Sequence, residues 1–323
     1  MTARDCILVT GGAGFVGSHF ARAAQEAGSR VVVLDDLSGG PMPAIANVEL
    51  VVGDIGDREL VRTTIQRRSV TAVAHFAGKI AVGESVTNPA LYFDHNLLRA
   101  LALLEASRDL VERFLFSSTA AVYGEPEVLP IVETAPCKPI NPYGATKLAF
   151  EHALAAYGAA YGMRWAALRY FNAAGAHPDG TLRESHDPET HLIPLVIDAG
   201  KGKRPPLTVF GSDFDTPDGT CIRDYVHVCD LARAHLAALD ALDAGVAVGA
   251  TNLASGRGYS VFEVIAEASR VLGAPVPHVI GPRRAGDPPR LIASPERAAT
   301  LLGWRTERSD LPTLIEDAAR SRA

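Results

Sequence analysis

Over the first 172 residues short apolar runs alternate with helix-length stretches, and no other feature of the chain narrows its possible folds as much. Cys6 to Thr10 (CILVT) reads as a buried strand, and Phe15 to Ala27 as a helix stopped by Gly28. Arg30 to Asp35 (RVVVLD), Val48 to Val52, Ala72 to Phe76, Arg113 to Ser117 and Trp165 to Phe171 read as further strands. Arg58 to Arg68, Pro89 to Arg108 and Tyr143 to Tyr161 read as the helices between them. Strands that are apolar throughout, rather than at every second position, are buried on both faces. Strands alternating with helices then make a parallel sheet with right-handed crossovers. The expected fold class is α/β, a doubly wound parallel sheet.

From about residue 173 the texture changes. His177-Pro178-Asp179-Gly180 and the polar stretch to Glu189 leave the sheet pattern, and Pro205-Pro206 and Pro282 to Pro289 mark further loops. Helices are expected near 228–243, 260–272, 294–302 and 310–321, and Ala250 to Leu253 is a candidate strand returning to the sheet. A chain of 323 residues has room for two domains at about 150 residues each. The expected division is a dinucleotide-binding domain over 1–172 and a smaller mixed α/β substrate domain over 173–323, with segments near 223–254 returning to the first sheet.

Composition excludes several classes. Apolar residues make up 47% and charged residues 21%, ordinary for a globular chain. No apolar run approaches the roughly 18 residues of a spanning helix, so no membrane association is expected. The net charge of −6, from 37 acidic and 31 basic residues, offers no basic face for a nucleic acid. Cys6, Cys137, Cys221 and Cys229 form no Cys-x-x-Cys pair and have no zinc-like spacing to the histidines. They read as reduced packing residues, and no metal is expected. Met1 to Asp5 lack the pattern of a signal peptide, so a cytoplasmic protein is expected.

Thr10-Gly11-Gly12-Ala13-Gly14-Phe15-Val16-Gly17 stands between the first strand and the first helix. Glycines at 11, 14 and 17 let backbone amides approach a pyrophosphate at the positive end of the helix, and the last permits close helix–sheet packing. In that context the turn reads as the dinucleotide fingerprint of a Rossmann sheet. Asp35 ends the second strand, 18 residues beyond Gly17. A carboxylate there accepts hydrogen bonds from ribose hydroxyls and repels a 2′-phosphate, favouring NAD over NADP. Asp54, ending the third strand, reads either as an adenine contact or as a turn aspartate.

Tyr143 and Lys147, in Pro142-Tyr143-Gly144-Ala145-Thr146-Lys147, are four apart and share one helix face. A free phenol has a pKa near 10 and is a poor base at neutral pH; a nearby ammonium favours the phenolate. Tyr143 is thereby a candidate proton acceptor for a sugar hydroxyl. Ser117-Ser118-Thr119 closes the preceding strand, at the strand end where such sheets bind ligands.

With these residues in view, the chain resembles the extended short-chain dehydrogenase/reductase family, and within it the UDP-glucose (UDP-galactose) 4-epimerases, over essentially its whole length. The resemblance rests on VTGGAGFVGSH (9–19), HFAGKIAVGESV (75–86), SSTAAVYG (117–124), NPYGATK (141–147), LRYFNAAGAHPDG (168–180), DGTCIRDYVHV (218–228) and RRAGDPP (283–289). It implies that Tyr143 takes the O4 proton while the C4 hydride passes to NAD, that Thr119 bonds the same oxygen, and that Lys147 holds the nicotinamide ribose. The 4-keto sugar would turn over and receive the hydride on its other face. Gly12, Phe15 and Val16, Asp36 and Ile55, Phe76, Ala77, Gly78 and Lys79 are implied as cofactor contacts. So are His95, Asn96 and Ser117, together with Tyr170 and Phe171.

On the substrate side the resemblance implies Arg223, Arg284 and the amide of Asn172 at the diphosphate, and Asp287 at the uridine ribose. Thr208, Val209 and Phe210 would flank uracil, and His191 and Leu192 would stand by the UDP-sugar. The Arg223-Asp224 pair also reads as a local ion pair. Relatives carry a lysine at the position of Ile80, whereas Lys79 stands one place earlier here. His95 and His191 stand at asparagine positions. Leu291 occupies the position at which a tyrosine would exclude an N-acetyl group, so some turnover of UDP-GlcNAc and UDP-GalNAc is expected. A homodimer through the helices 89–108 and 143–161 is implied, although Leu97, Leu98, Leu101, Leu104, Leu148, Phe150 and Leu154 fit a core equally well.

A 4,6-dehydratase would need an Asp-Glu pair after the threonine; Ala120-Ala121 stand there and transfer no protons. A UDP-glucuronate 4-epimerase or decarboxylase is a rival of the same fold, and a non-catalytic NAD-binding sensor a rival of another class. Thr119, Tyr143 and Lys147 together speak against the sensor, since the sheet needs none of them for packing.

Overall fold

A computed structural model describes residues 6–43, 45, 47–186, 188–284 and 287–322. Met1 to Asp5, and Ala285 and Gly286 of the RRAGDPP motif, lie outside the described residues. The strands in chain order are β1 (Cys6–Thr10), β2 (Arg30–Asp35), β3 (Glu49–Val52), β4 (Ala72–His75), β5 (Arg113–Ser117), β6 (Arg164–Arg169) and β7 (Asn172–Ala174). They continue with β8 (Leu207–Phe210), β9 (Ile222–His227), β10 (Gly249–Asn252), β11 (Gly258–Ser260), β12 (His278–Gly281) and β13 (Arg290–Leu291). The α-helices are α1 (Phe15–Glu26), α2 (Arg58–Arg68), α3 (Val82–Thr87), α4 (Pro89–Phe93), α5 (Arg99–Ser107), α6 (Pro142–Tyr161), α7 (Leu192–Gly200), α8 (Val228–Asp243), α9 (Val261–Leu272), α10 (Glu296–Leu302) and α11 (Leu311–Ser321).

The main sheet has the order β10-β6-β5-β4-β1-β2-β3, parallel at every junction. This is the doubly wound α/β fold the alternation of runs predicts. The order reverses between β1 and β4, opening a crevice at the carboxyl edge where such sheets take their ligands. One face is covered by α1 and α8, with Phe20, Val33 and Leu239 in the core. The other is covered by α2, α5 and α6, with Leu34, Leu104 and Phe150. A separate smaller core joins Ile193, Val196, Tyr225, Val264 and Leu314 around the short strands of the second half.

Local chemistry sets the helix ends. Asp57 caps α2 and Asn141 caps α6, where Pro142 fits the first turn because it needs no donor there. Ser260 and Glu263 form a reciprocal capping box on α9.

Three expectations need correction. The helix expected over Pro89 to Arg108 is broken by a π-helical turn, Asp94–Leu98. One extra residue in that turn re-phases the helix and brings Asn96 into the interior. The strand expected to reach Phe171 ends at Arg169, so Tyr170 and Phe171 lie beyond the sheet edge. The second half holds short strands and α7, which apolar runs of four residues or fewer do not announce.

Of the leucines with two readings, Leu104 and Leu154 are buried, as is Phe150, whereas Leu98 is exposed beside an exposed Phe93. No described helix is long and apolar enough to cross a membrane.

Candidate functional site

The glycine turn is fixed by contact distance. Gly11 has φ +70°, and a Cβ on it would stand 2.4 Å from the Ala77 amide nitrogen; a Cβ on Gly17 would stand 2.2 Å from the Gly11 carbonyl oxygen. Gly14 opens α1 with no side chain over the first turn, so amides at the positive helix end stay bare. Phe15 is buried against His19, while Val16 and Gly12 pack inward on the sheet. Asp35 accepts from the Ala13 amide at 3.0 Å and the Leu37 amide at 2.8 Å, which aims its carboxylate along the turn. Asp36 is exposed and accepts from the Ser38 amide.

Asp54 accepts from the Gly56 amide at 2.7 Å and from Arg99 at 2.5 Å, and Ile55 beside it belongs to the core. The next crossover loop is tied by Asn96, whose amide group takes the Lys79 N–H at 2.8 Å and gives to the Lys79 carbonyl at 2.9 Å. Asn96 therefore spends its side chain shaping the Ala77-Gly78-Lys79 loop. A Cβ on Gly78 would come within 2.9 Å of the Asn96 oxygen. His95, in the same π turn, is half-buried, and Ile80 is exposed. The Phe76 ring packs on Phe20 and His235.

At the carboxyl end of β5 the structure gathers the expected reacting groups. The buried Lys147 ammonium donates to the Ser117 carbonyl at 2.9 Å and lies 5.9 Å from the Tyr143 ring centre. Burial pushes Lys147 down to about 8, against the pull of Glu151 one turn on. Burial raises the Tyr143 phenol, and a hydrogen bond with Thr119 opposes that rise. The Ser117 hydroxyl meets the Tyr170 hydroxyl at 2.5 Å. The Tyr92 ring meets Tyr143 edge-on, held by bonds from its hydroxyl to the Ala81 carbonyl and Glu84.

Sequence reasoning missed the base beneath this group. Glu151 is buried and pairs with Arg169, at 2.9 Å and 2.5 Å, while accepting from Ser118. Arg169 also donates to the Tyr123 hydroxyl, which donates to Asn252 of β10. The available signal was a carboxylate four residues after Lys147, on the same helix face.

The substrate-side residues separate into two groups. Arg223, from β9, pairs with Asp287, and Arg284 lies 3.9 Å over the Phe210 ring. Arg284 and Asp287 border an open cleft of about 760 Å³ together with Phe214 and Pro288. Leu291 pairs with Arg223 in register and packs in the cluster containing Ala120, Tyr123 and Phe171. Asn172, in β7, donates to the Asp224 carbonyl.

Strand geometry sets where the side chains of β8 and β9 point, and the ion-pair reading of Arg223 and Asp224 fails on it. Successive side chains point to opposite faces, so Val209 is buried in the second core while Thr208 and Phe210 face the other way. Arg223 and Asp224 form no ion pair for the same reason. Asp224 is buried and accepts from Ser255 and Gly256, with burial raising it to about 6. His191 and Leu192 open α7, and the His191 ring turns to Glu184.

The chain belongs to the NAD dependent epimerase/dehydratase family, whose model matches residues 7–254. Among its relatives, UDP-glucose 4-epimerase of Halalkalibacterium halodurans is 47% identical over 313 residues, 97% of this chain and 94% of that protein. The UDP-glucose 4-epimerase of Azospirillum brasilense is 49% identical, over 97% of this chain and 90% of that protein. The crystal structure of UDP-glucose 4-epimerase from Brucella ovis in complex with NAD matches with a TM-score of 0.95 and 49% identity, covering 98% of this chain and 97% of that one. The resemblance read from the sequence is thus borne out.

Proposed function

We propose that this chain inverts C4 of a UDP-hexose with NAD as its cofactor. The observation that carries the reading is Thr119, Tyr143 and Lys147 meeting in one buried group at the carboxyl end of β5. The residues at the turn fit a dinucleotide, because Gly11 and Gly17 leave no room for side chains of their own while the start of α1 is bare. Gly11, Gly14 and Gly17 would hold the pyrophosphate and Asp35 the adenosine ribose. When bound, NAD supplies the acceptor and donor of the C4 hydride.

The chain's residues do the rest. Tyr143 accepts the O4 proton and later returns it, Thr119 orients that oxygen, and Lys147 lowers the cost of the phenolate. Arg223, Arg284 and Asp287 anchor the nucleotide, so the hexose is held loosely enough to present either face. Residues 1–172 with the β10 strand carry the dinucleotide, and the remainder of 173–323 carries the UDP-sugar. We further infer a cytoplasmic homodimer, supported by the exposed Phe93 and Leu98 on adjoining turns. A sedimentation mass of a single 34.1 kDa chain would refute the dimer.

The deciding experiment incubates purified protein with UDP-galactose, UDP-GalNAc and UDP-glucuronate, with and without added NAD, and identifies the products. UDP-glucose is expected from the first and UDP-GlcNAc from the second, since Leu291 is smaller than tyrosine. No conversion of UDP-galactose overturns the reading, and conversion of UDP-glucuronate alone favours the uronate rival. Good turnover of UDP-galactose with none of UDP-GalNAc removes the role given to Leu291.

The pH dependence follows from the same group. Lys147 is charged below about 8 and neutral above it. The rate needs the Tyr143 phenolate and the Lys147 ammonium together, and the phenol, raised from its ordinary value near 10, titrates above Lys147. kcat/KM is therefore expected to rise with pH up to about 8 and to level off above it, where loss of the ammonium cancels the further gain of phenolate. A kcat/KM that is already level below pH 8, or that keeps climbing about tenfold per unit well above it, would contradict this assignment.

A further inference from the structure

The segment between β7 and α7 carries a second convergence of ligating side chains. One donor-capable atom from each of Glu184, His186, Glu189 and His191 lies within 4.8 Å of all the others. His186 Nδ1 is 3.3 Å from Glu184 Oε1 and 3.6 Å from Glu189 Oε1, and His191 Nδ1 meets the same Glu184 oxygen. The two imidazoles meet edge-on, at 90° with centroids 5.2 Å apart, and do not stack.

The cluster is held in place by its surroundings. Glu184 is 3% exposed, and its backbone carbonyl accepts from Arg322 at 3.0 Å. Glu189 Oε1 accepts from the Thr190 and His191 amides at 2.9 Å and 3.0 Å.

A second observation points to a ligand. Among the described residues, His186 Nδ1 and Glu189 Oε2 are buried and make no well-aligned hydrogen bond, and Arg322 Nη1 stands 4.0 Å from that oxygen. A buried nitrogen and oxygen left unbonded cost free energy unless something between them bonds both. A cation does so, and its charge offsets the two carboxylates. Bonds of about 2.0–2.1 Å to a tetrahedral Zn²⁺ put neighbouring donors roughly 3.4 Å apart, close to the spacing of His186 from both carboxylates. Two imidazole nitrogens with two carboxylate oxygens suit first-row divalent ions, whereas Mg²⁺ and Ca²⁺ take shells made of oxygen.

We infer that Glu184, His186, Glu189 and His191 bind a divalent transition-metal cation of the Zn²⁺ class. Four protein donors close a tetrahedron, the arrangement of a structural site rather than one that holds a reacting water. The cation ties the excursion after β7 to the amino end of α7. The inference does not depend on the sugar chemistry, and its test uses no sugar.

Untagged full-length protein is stripped with chelator, loaded with Zn²⁺, desalted and assayed for metal, and is separately titrated with Co²⁺. About one Zn²⁺ per folded chain is expected to remain, and Co²⁺ is expected to give the visible band of a tetrahedral site. His186→Ala and Glu184→Gln are each expected to weaken retention by at least about tenfold, while His278→Ala, on an exposed histidine, leaves it unchanged. Should a variant fail to fold, the wild-type Co²⁺ spectrum still decides. Wild-type protein that keeps no Zn²⁺ and shows no tetrahedral Co²⁺ band, or variants that keep as much metal as wild type, would overturn the site and leave an ion-pair cluster.

Discussion

Turnover of UDP-galactose by Tyr143→Phe is expected to fall by about 10²–10⁴, the usual contribution of a positioned proton acceptor, with NAD binding preserved. The substitution removes one oxygen from a ring whose edge contact with Tyr92 stays in place. Thr119 keeps its bond with the Ala121 amide, and Lys147 keeps its bond to the Ser117 carbonyl. What disappears is, among the described residues at that point, the group able to take and return a proton: the Thr119 hydroxyl is too weak an acid for the task, and Lys147 is turned to the backbone. The check pairs steady-state kcat with the NAD content of denatured protein. Unchanged kcat would remove Tyr143 from the mechanism, and lost NAD would show that the ring serves binding.

Removing Glu151 should be the most damaging change to stability at the site. Glu151→Ala leaves the Arg169 guanidinium buried without its carboxylate, and breaking a buried pair from one side costs about 3–5 kcal/mol. Ser118 loses its acceptor in the same step. A double variant with leucine at 151 and 169 should lose less than either single change, because neither charge is then stranded. Urea unfolding of the three proteins tests this, and a Glu151→Ala loss below about 1 kcal/mol would show the pair to be solvated. The carboxylate also sustains the Lys147 charge. Its loss should move the pH at which the rate levels off to a lower value.

Five of the first six strands were legible because they lie inside the sheet and spell nearly unbroken apolar words, whereas β3, exposed at the sheet edge, was legible from its Leu-Val-Val run alone. β8, β11 and β13 were not: they run to four residues or fewer, and they pack on one face or at an edge. The π turn at Asp94–Leu98 is invisible to periodicity, since a single extra residue shifts the phase without changing the composition. The grouping of Tyr143 with Lys147 could be read because the two are near in sequence. The Glu151–Arg169–Tyr123–Asn252 chain could not, because its members come from four elements and meet only in the folded protein. The pairing of Arg223 with Asp287 was hidden for the same reason, being 64 residues apart.

The main sheet takes its last strand, β10, from Gly249–Asn252, and the α1 face is covered by α8. During synthesis the glycine turn and its helix emerge early, yet one border of the sheet and one flank of α1 stay bare until the ribosome has passed residue 252. The nascent amino-terminal half must therefore be sheltered, or wait, while some eighty further residues are added, so the crevice at the carboxyl edge of the sheet is completed only as the second half arrives.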